Sequence, residues 1–355
     1  MYNYPGNIHI HSQYSDGSGK IDAIAAAASS AGLSYIIITD HDTLQGLAEE
    51  SIRYGVVVLV GVEISKRQGH YLALNLKELN DSHEDSLQQI IDSVNKEEGF
   101  GFIAHPFERG SPYLEKGKAY PWKSWPVFGF SGLELWNYTS HWRGSRSSLL
   151  KTLYRLFFST KAAMDAPPPE ALKLWDCYTA AGYKVTAIGG SDAHGITLAL
   201  GFFKIPIFSY PFIFSTINTY IVLDEKMNQD FSVAKNQITR ALKKGHCYIS
   251  FDSLYPGDNF YYFIDTGNNQ LYQGAELKYQ PGLTLHVQAP INNSLLRLIN
   301  NGRVIKEIKG KKLEYIPDSP GAYRAEVYFK PLLGRYRPWI YSNPLYLNDG
   351  QSYKN

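Results

Sequence analysis

From the N-terminus to about residue 255, short apolar runs alternate with segments whose apolar positions recur every three to four residues. This pattern predicts an α/β region of repeated βα units around a parallel sheet or barrel. Asn7–Ile10 reads as a first strand and Lys20–Ala31 as an Ala-rich helix ending at Gly32, a natural left-handed terminator. Tyr35–Thr39 and Val56–Val60 are continuous apolar strands of the kind buried on both faces. An amphipathic helix over Glu84–Glu98, strands at Phe100–Ala104, Gly132–Trp136 and Lys184–Ile188, and helices at 145–160, 169–181 and 232–244 continue the alternation.

After about residue 256 the helical period disappears, so the division expected is 1–256 for the α/β part and 257–355 for a small all-β, sandwich-like part. Leu283–Ala289 and Ala322–Phe329 alternate apolar with polar residues. Leu295–Ile299 meets Arg303–Ile308 across Asn301-Gly302, a type I′ hairpin signal. The stretch from 106 to 182 is long and aromatic-rich, an insert expected to shape a pocket.

Composition narrows the function classes. The 355 residues are 44% hydrophobic and 19% charged, which excludes a disordered chain. A net charge of +2 excludes an extended nucleic-acid or anionic-lipid surface. Cys177 and Cys247 are the only cysteines, so there is no disulfide framework, and a reducing, cytoplasmic setting is expected. Cys177, beside Leu174 and Trp175, reads as a core residue. The apolar stretch 198–223 carries Pro206 and Pro211, which argue for strands or a packed loop over a membrane span and leave open an apolar face for a homo-oligomer.

The chemistry lies in where the histidines and acids fall. His9 and His11 end the first strand, two apart and so expected on one side of it; Asp16 follows in a loop. His41 follows the second strand, Glu63 the third and His70 soon after; His105 ends Phe102-Ile103-Ala104, Glu134 lies in the next strand, and Asp192 and His194 follow Gly189-Gly190-Ser191. In a closed βα barrel the strand C-termini converge on one face, the usual place of catalysis. Imidazole and carboxylate donors suit Zn, Mn or Fe, and the nine that remain with Glu134 set aside exceed the needs of one ion. Two or three divalent ions sharing a bridging carboxylate, with Glu63 the best-placed candidate, form an arrangement used to cleave phosphate esters. His70 has an alternative reading as the start of a core strand, Gly69-His70-Tyr71-Leu72.

His9-Ile10-His11-Ser12 with Ser15-Asp16-Gly17, Thr39-Asp40-His41-Asp42-Thr43, Gly61-Val62-Glu63-Ile64, Ala104-His105-Pro106 and Gly190-Ser191-Asp192-Ala193-His194 closely resemble the motifs of the polymerase and histidinol phosphatase (PHP) superfamily. The pattern from Gly182 to His194, with Trp339-Ile340-Tyr341-Ser342-Asn343-Pro344 near the C-terminus, is similar to the carbaryl-hydrolase-like branch. The resemblance implies a distorted (β/α)7 PHP barrel with a trinuclear metal site. One ion would take His9, His11, Glu63 and Asp192, a second Glu63, His70 and His105, and a third Asp16, His41 and His194. Glu63, Asp192 and His194 are then the catalytic candidates, with Asp40 and Asp42 orienting His41.

Phosphate recognition needs a cation beyond the metals, and Arg109, His141, Arg143 and Arg146 are candidates; Glu134 has three open readings, a substrate contact, a group supporting the ligands from behind, or a core-buried partner. The leading expectation is a metal-dependent phosphoesterase acting on a small phosphorylated molecule. A carbamate, ester or amide hydrolase, its pocket lined by Trp122, Trp125, Trp136 and Trp142, is the rival enzyme reading. A non-catalytic binding or scaffold protein is the rival of another class, disfavoured because an inert barrel gains nothing from so many desolvated polar groups.

Overall fold

The structure, a computed structural model, describes residues 1–65, 69–79, 86–110, 118–144, 166–200, 203–332 and 334–354, with backbone alone for 198–200 and 203–206. The helix expected at 145–160 and Arg146 lie outside the described residues.

Two sheets carry the N-terminal part. In the first, Tyr2–Ile10, Tyr35–Ile38 and Val56–Val60 run parallel, and Ile217–Leu223 and Cys247–Phe251 extend it antiparallel from the other edge of Tyr2–Ile10. Residues 35–38 and 56–60 are buried throughout, as continuous apolar runs require. The second sheet has the order Val62–Ile64, His70–Leu74, Phe100–Ala104, Gly132–Asn137, Thr186–Gly190. Single bridges, Ile10 to Ala193 and His41 to Glu63, tie the two sheets together at the strand C-termini.

The hydrogen-bonded ladders of the described residues do not form one closed sheet, and strict βα alternation fails at a definite place. Val62–Ile64 turns back into His70–Leu74 as an antiparallel pair, because the short connection between them cannot hold the crossover of about a dozen residues that parallel pairing needs. The helices Ile21–Ser30, Leu87–Lys96, Pro169–Ala180 and Phe231–Lys244 match the expected segments to within a few residues. Ser86 and Gln89 form a capping box at the second, and Gly245 ends the last in the left-handed region at φ +73°. Cys177, on the solvent side of Pro169–Ala180, is exposed, since it is the Trp175 and Tyr178 face of that helix that is buried; the core placement expected for it is corrected.

The C-terminal part is β-rich, and its first layer is not a separate sheet. Arg337–Ser342 pairs with Cys247–Phe251, with Tyr248 opposite Ser342 and Ser250 opposite Ile340. The first sheet therefore continues past residue 256 into Gly321–Phe329, Leu345–Asn348 and Glu276–Lys278. A second layer of four strands contains Tyr261–Asp265 and Thr284–Gln288, whose alternating burial follows their alternating sequence. Between the layers Tyr262, Leu285, Leu296, Val327 and Trp339 pack with Tyr220, Val222 and Tyr248 from the N-terminal part. Asn301 and Gly302 both have positive φ in the hairpin 294–309, as a type I′ turn demands.

The apolar stretch 198–223 resolves into a hairpin with Ile196–Leu200 and Phe203–Phe208, a short helix Tyr210–Phe214 and the strand Ile217–Leu223. No helix among the described residues is long and apolar enough to cross a membrane.

Candidate metal centre

The expected ligands converge on Glu63. Its Oε1 accepts from His70 Nδ1 at 2.7 Å and His105 Nε2 at 3.2 Å. Its Oε2 lies 3.0 Å from His9 Nε2, 3.2 Å from His11 Nε2 and 3.2 Å from His41 Nδ1. Asp192 Oδ1 stands 3.6 Å from His9 Nε2 and 3.4 Å from His11 Nε2. Beside them Asp16 faces His194 Nε2 at 3.2 Å, His11 Nδ1 at 3.6 Å and His41 Nε2 at 3.7 Å. All nine candidates thus meet at one end of the two sheets. His70 satisfies both of its readings, since it opens a buried strand and still reaches Glu63.

Local backbone geometry produces this convergence. His9 has φ +68°, and the pairing register with Tyr35–Ile38 shifts between Ile8 and Ile10. The two imidazoles therefore meet through a bulge at His9 instead of by simple strand alternation, a device common beside active sites. Asp192 (φ +53°) and His105 (φ +25°) also occupy the left-handed region, strain that L-residues keep only where surroundings impose it. Glu134 is one such imposition. Buried, it accepts from His9 Nδ1 at 3.0 Å, from the His105 backbone N–H and from Asn137 Nδ2, both at 2.9 Å. A Cβ at Gly190 would lie 1.7 Å from Glu134 Oε1, so only glycine permits that approach. With Nδ1 engaged by Glu134, His9 presents Nε2 toward Glu63 and Asp192.

In this cluster the imidazoles and carboxylates stabilise one another's charged forms. Burial pulls the His11 imidazole down, but the adjacent Asp192 and Glu63 carboxylates outweigh it and lift it to about 9. Burial likewise opposes, and Glu108 and Glu63 overcome, a rise to about 9 at His105. Glu63 and Asp192 are held well below the usual carboxylate range, because the surrounding histidines outweigh the burial of both. The decisive observation is geometric. His9 Nε2, His11 Nε2, His41 Nδ1 and Glu63 Oε2 are buried atoms crowded within about hydrogen-bonding distance, yet none has a hydrogen-bond partner. Such orphaned donor atoms are costly unless they bind something else, and mixed N/O donors suit borderline divalent ions such as Zn, Mn or Fe.

The recognition candidates separate. Arg143, on the helix Tyr138–Gly144, lines the same cavity of about 870 Å³ as the ligands. Arg109 and His141 line a neighbouring cavity of about 240 Å³, and Arg109 is paired with Glu170. Trp122, Trp136 and Trp142 are buried in the core and Trp125 packs against it, so they do not form an aromatic substrate wall. The hydrogen bonds of Asp40 go to Ser12 and Ser15, and those of Asp42 to Ser65. Instead of orienting His41, as expected, the two acids tie down the loops that carry the ligands. Sequence reasoning passed over Glu108, Asn137, Ser140 and Tyr120. Only Glu108 carried a signal, an acid three residues after a candidate ligand.

Residues 7–120 match the PHP domain. The phosphoribosyl 1,2-cyclic phosphate 1,2-diphosphodiesterase of Eggerthella lenta is 35% identical over 81 residues, 20% of this chain and 31% of that enzyme. The chain thus matches less than a third of that relative's length. An uncharacterized protein of Methanocaldococcus jannaschii is 29% identical over 116 residues, 28% of this chain and 67% of that one. A two-domain protein from Bacteroides vulgatus containing a predicted PHP-like metal-dependent phosphoesterase aligns over 97% of this chain and 95% of its own, at 17% identity and a TM-score of 0.49.

Proposed function

We propose, from the match of residues 7–120 to the PHP domain, that the chain is a metal-dependent phosphoesterase acting on a phosphomonoester or phosphodiester. The observation that carries this reading is the set of orphaned, buried donor atoms around Glu63. The family resemblance would give His9, His11, Glu63 and Asp192 to one ion, Glu63, His70 and His105 to a second, and Asp16, His41 and His194 to a third, and the same nine side chains fall into overlapping groups close enough to share ions. The two bridged sheets are then the halves of a distorted (β/α)7 barrel. Divalent ions supply Lewis acidity and make water nucleophilic at neutral pH.

The chain's own groups do the positioning. Glu134 fixes the tautomer and ring plane of His9 and, through the His105 backbone, the start of the following loop. His194 donates Nδ1–H to the Asp192 carbonyl, which leaves Nε2 directed at Asp16. Arg143 places a cation on the wall of the ligand cavity, where phosphoryl oxygens would need one and a neutral carbamate would not. With the tryptophans in the core, that cation favours phosphate over an aromatic carbamate. The name of the Eggerthella lenta relative points to the same ester chemistry.

The test is hydrolysis of matched nitrophenyl phosphate monoester, phosphodiester and carboxyl-ester substrates after Mn²⁺ or Zn²⁺ loading, with Asp192→Ala as the blank. Metal-dependent phosphate-ester cleavage lost in the variant is expected. Cleavage of the carboxyl ester alone would move the assignment to carbonyl chemistry, and no turnover at full metal occupancy would count against an enzyme of this class.

A further inference from the structure

Glu108 is an acid where an anion-binding cavity should not want one. It is 8% exposed and lines both the ligand cavity and the smaller one beside it. Its Oε2 accepts the Tyr120 backbone N–H at 2.9 Å and lies 3.7 Å from His105 Nδ1. Its Oε1 accepts from Ser140 Oγ at 3.1 Å and from the Arg143 guanidinium. Its own N–H donates to the His105 carbonyl at 3.0 Å. One carboxylate therefore joins the loop after Phe100–Ala104, the Tyr120 segment and the helix Tyr138–Gly144, and each of its oxygens receives a donor.

We infer that Glu108 is a positioning residue that fixes the Arg143 guanidinium on the wall of the metal cavity, making a preset cradle for a phosphoryl group; this rests on the phosphoesterase reading. Arginine has a long, flexible stem, and ordering it at the moment of binding costs affinity that a partner fixed in advance removes. A carboxylate is suited to the task because a guanidinium–carboxylate contact is directional as well as strong. Asp16 and Asp192 line the same cavity as Arg143. Glu108 carries negative charge into the site, so two effects compete. Its charge repels phosphate, whereas its hold on Arg143 prepares the site for it, and the geometry points to the second as the larger.

The opposition of signs makes the test direct. Binding of inorganic phosphate to the metal-loaded, full-length protein is measured by calorimetry for wild type, Glu108→Gln, Arg143→Gln and the double variant, with metal content checked for each. Glu108→Gln is expected to weaken phosphate binding about 10- to 100-fold, the worth of one charge-assisted hydrogen bond, with metal content unchanged. The double variant should be no weaker than Arg143→Gln alone, because both act through one group. In turnover the loss should fall on KM, with kcat within about threefold. Tighter phosphate binding by Glu108→Gln would show that repulsion dominates and overturn the inference. Unchanged binding, additive losses, or a fall in metal content would overturn it too, the last because Glu108 would then be a brace for His105. Wild type that is metal-loaded but neither binds nor cleaves phosphate esters would instead defeat the phosphoesterase reading itself.

Discussion

Replacing Arg324 with methionine tests what joins the β-rich C-terminal layers to the helix Pro169–Ala180. The guanidinium is 5% exposed and makes a bidentate pair with Asp176, Nε to Oδ1 and Nη2 to Oδ2, both at 3.1 Å. It also donates to Glu326 and lies 5.1 Å from the centre of the Trp175 ring. Methionine keeps most of the aliphatic stem but strips both acids of their cation. Asp176 is partly exposed and can rehydrate, whereas Glu326, 6% exposed, would keep the Tyr328 hydroxyl at 2.7 Å. Breaking a buried pair by removing one partner costs about 3–5 kcal/mol; with one of the two acids able to reach water, about 3 kcal/mol is expected. For a urea slope of about 3 kcal/mol/M, the unfolding midpoint falls by about 1 M, followed by tryptophan fluorescence. Adding Glu326→Gln should recover at least half of the loss, because the stranded charge is its main source. A shift below about 0.3 M, or no recovery in the double variant, would refute the reasoning.

Asp252 gives a pH signature away from the metal centre. Burial pushes its carboxyl up to about 6 despite hydrogen bonds from Asn218, Ser250, Tyr220 and the Gly257 N–H. The folded state therefore holds that proton more tightly than the unfolded one, so this group's contribution to stability falls as pH rises from about 4 to 6 and is level above. In metal-loaded protein, the stability difference between wild type and Asp252→Asn should change over that window, and a flat difference would contradict it. Because His11 and His105 are lifted to about 9 in the metal-free site, ion loading at pH 7 should release protons. Calorimetry in two buffers of different ionisation enthalpy detects that release, and equal heats would deny it. Truncation after residue 256 would uncover Tyr220, Val222 and Tyr248 and leave the Cys247–Phe251 edge unpaired, so aggregated protein is expected. Recovery of a soluble, monomeric, active fragment would reject that role for the C-terminal strands.

What was legible in the sequence follows the range of the interaction that decides it. Val56–Val60 is a buried strand because five apolar residues in a row have no polar face to show to water. The candidate ligands could be read for a related reason: most fall at or just past the end of an apolar strand, although Glu63 lies within one and His70 opens an antiparallel one. The spacing of His9 and His11 suggested common orientation through strand alternation, and the structure reaches it through a bulge that no local pattern marks. Pairings across long separations left no trace. Tyr248 opposite Ser342 carries the sheet across the expected boundary, and Arg324 meets Asp176 at a separation of 148 residues.

The same distinction separates the ligands from the residues that hold them. The candidate ligands stand out by type and number together, since nine imidazole and carboxylate groups converge where a single one would mean little. Asn137, Ser140 and Glu108 are ordinary polar residues whose significance lies wholly in their partners. Glu134 shows where the two meet. It stands within a fully buried strand, where an unpaired carboxylate would be prohibitive, so burial alone demands partners. Only the fold reveals them as His9, the His105 backbone and Asn137, and so places Glu134 behind the candidate ligands as the group that aims them.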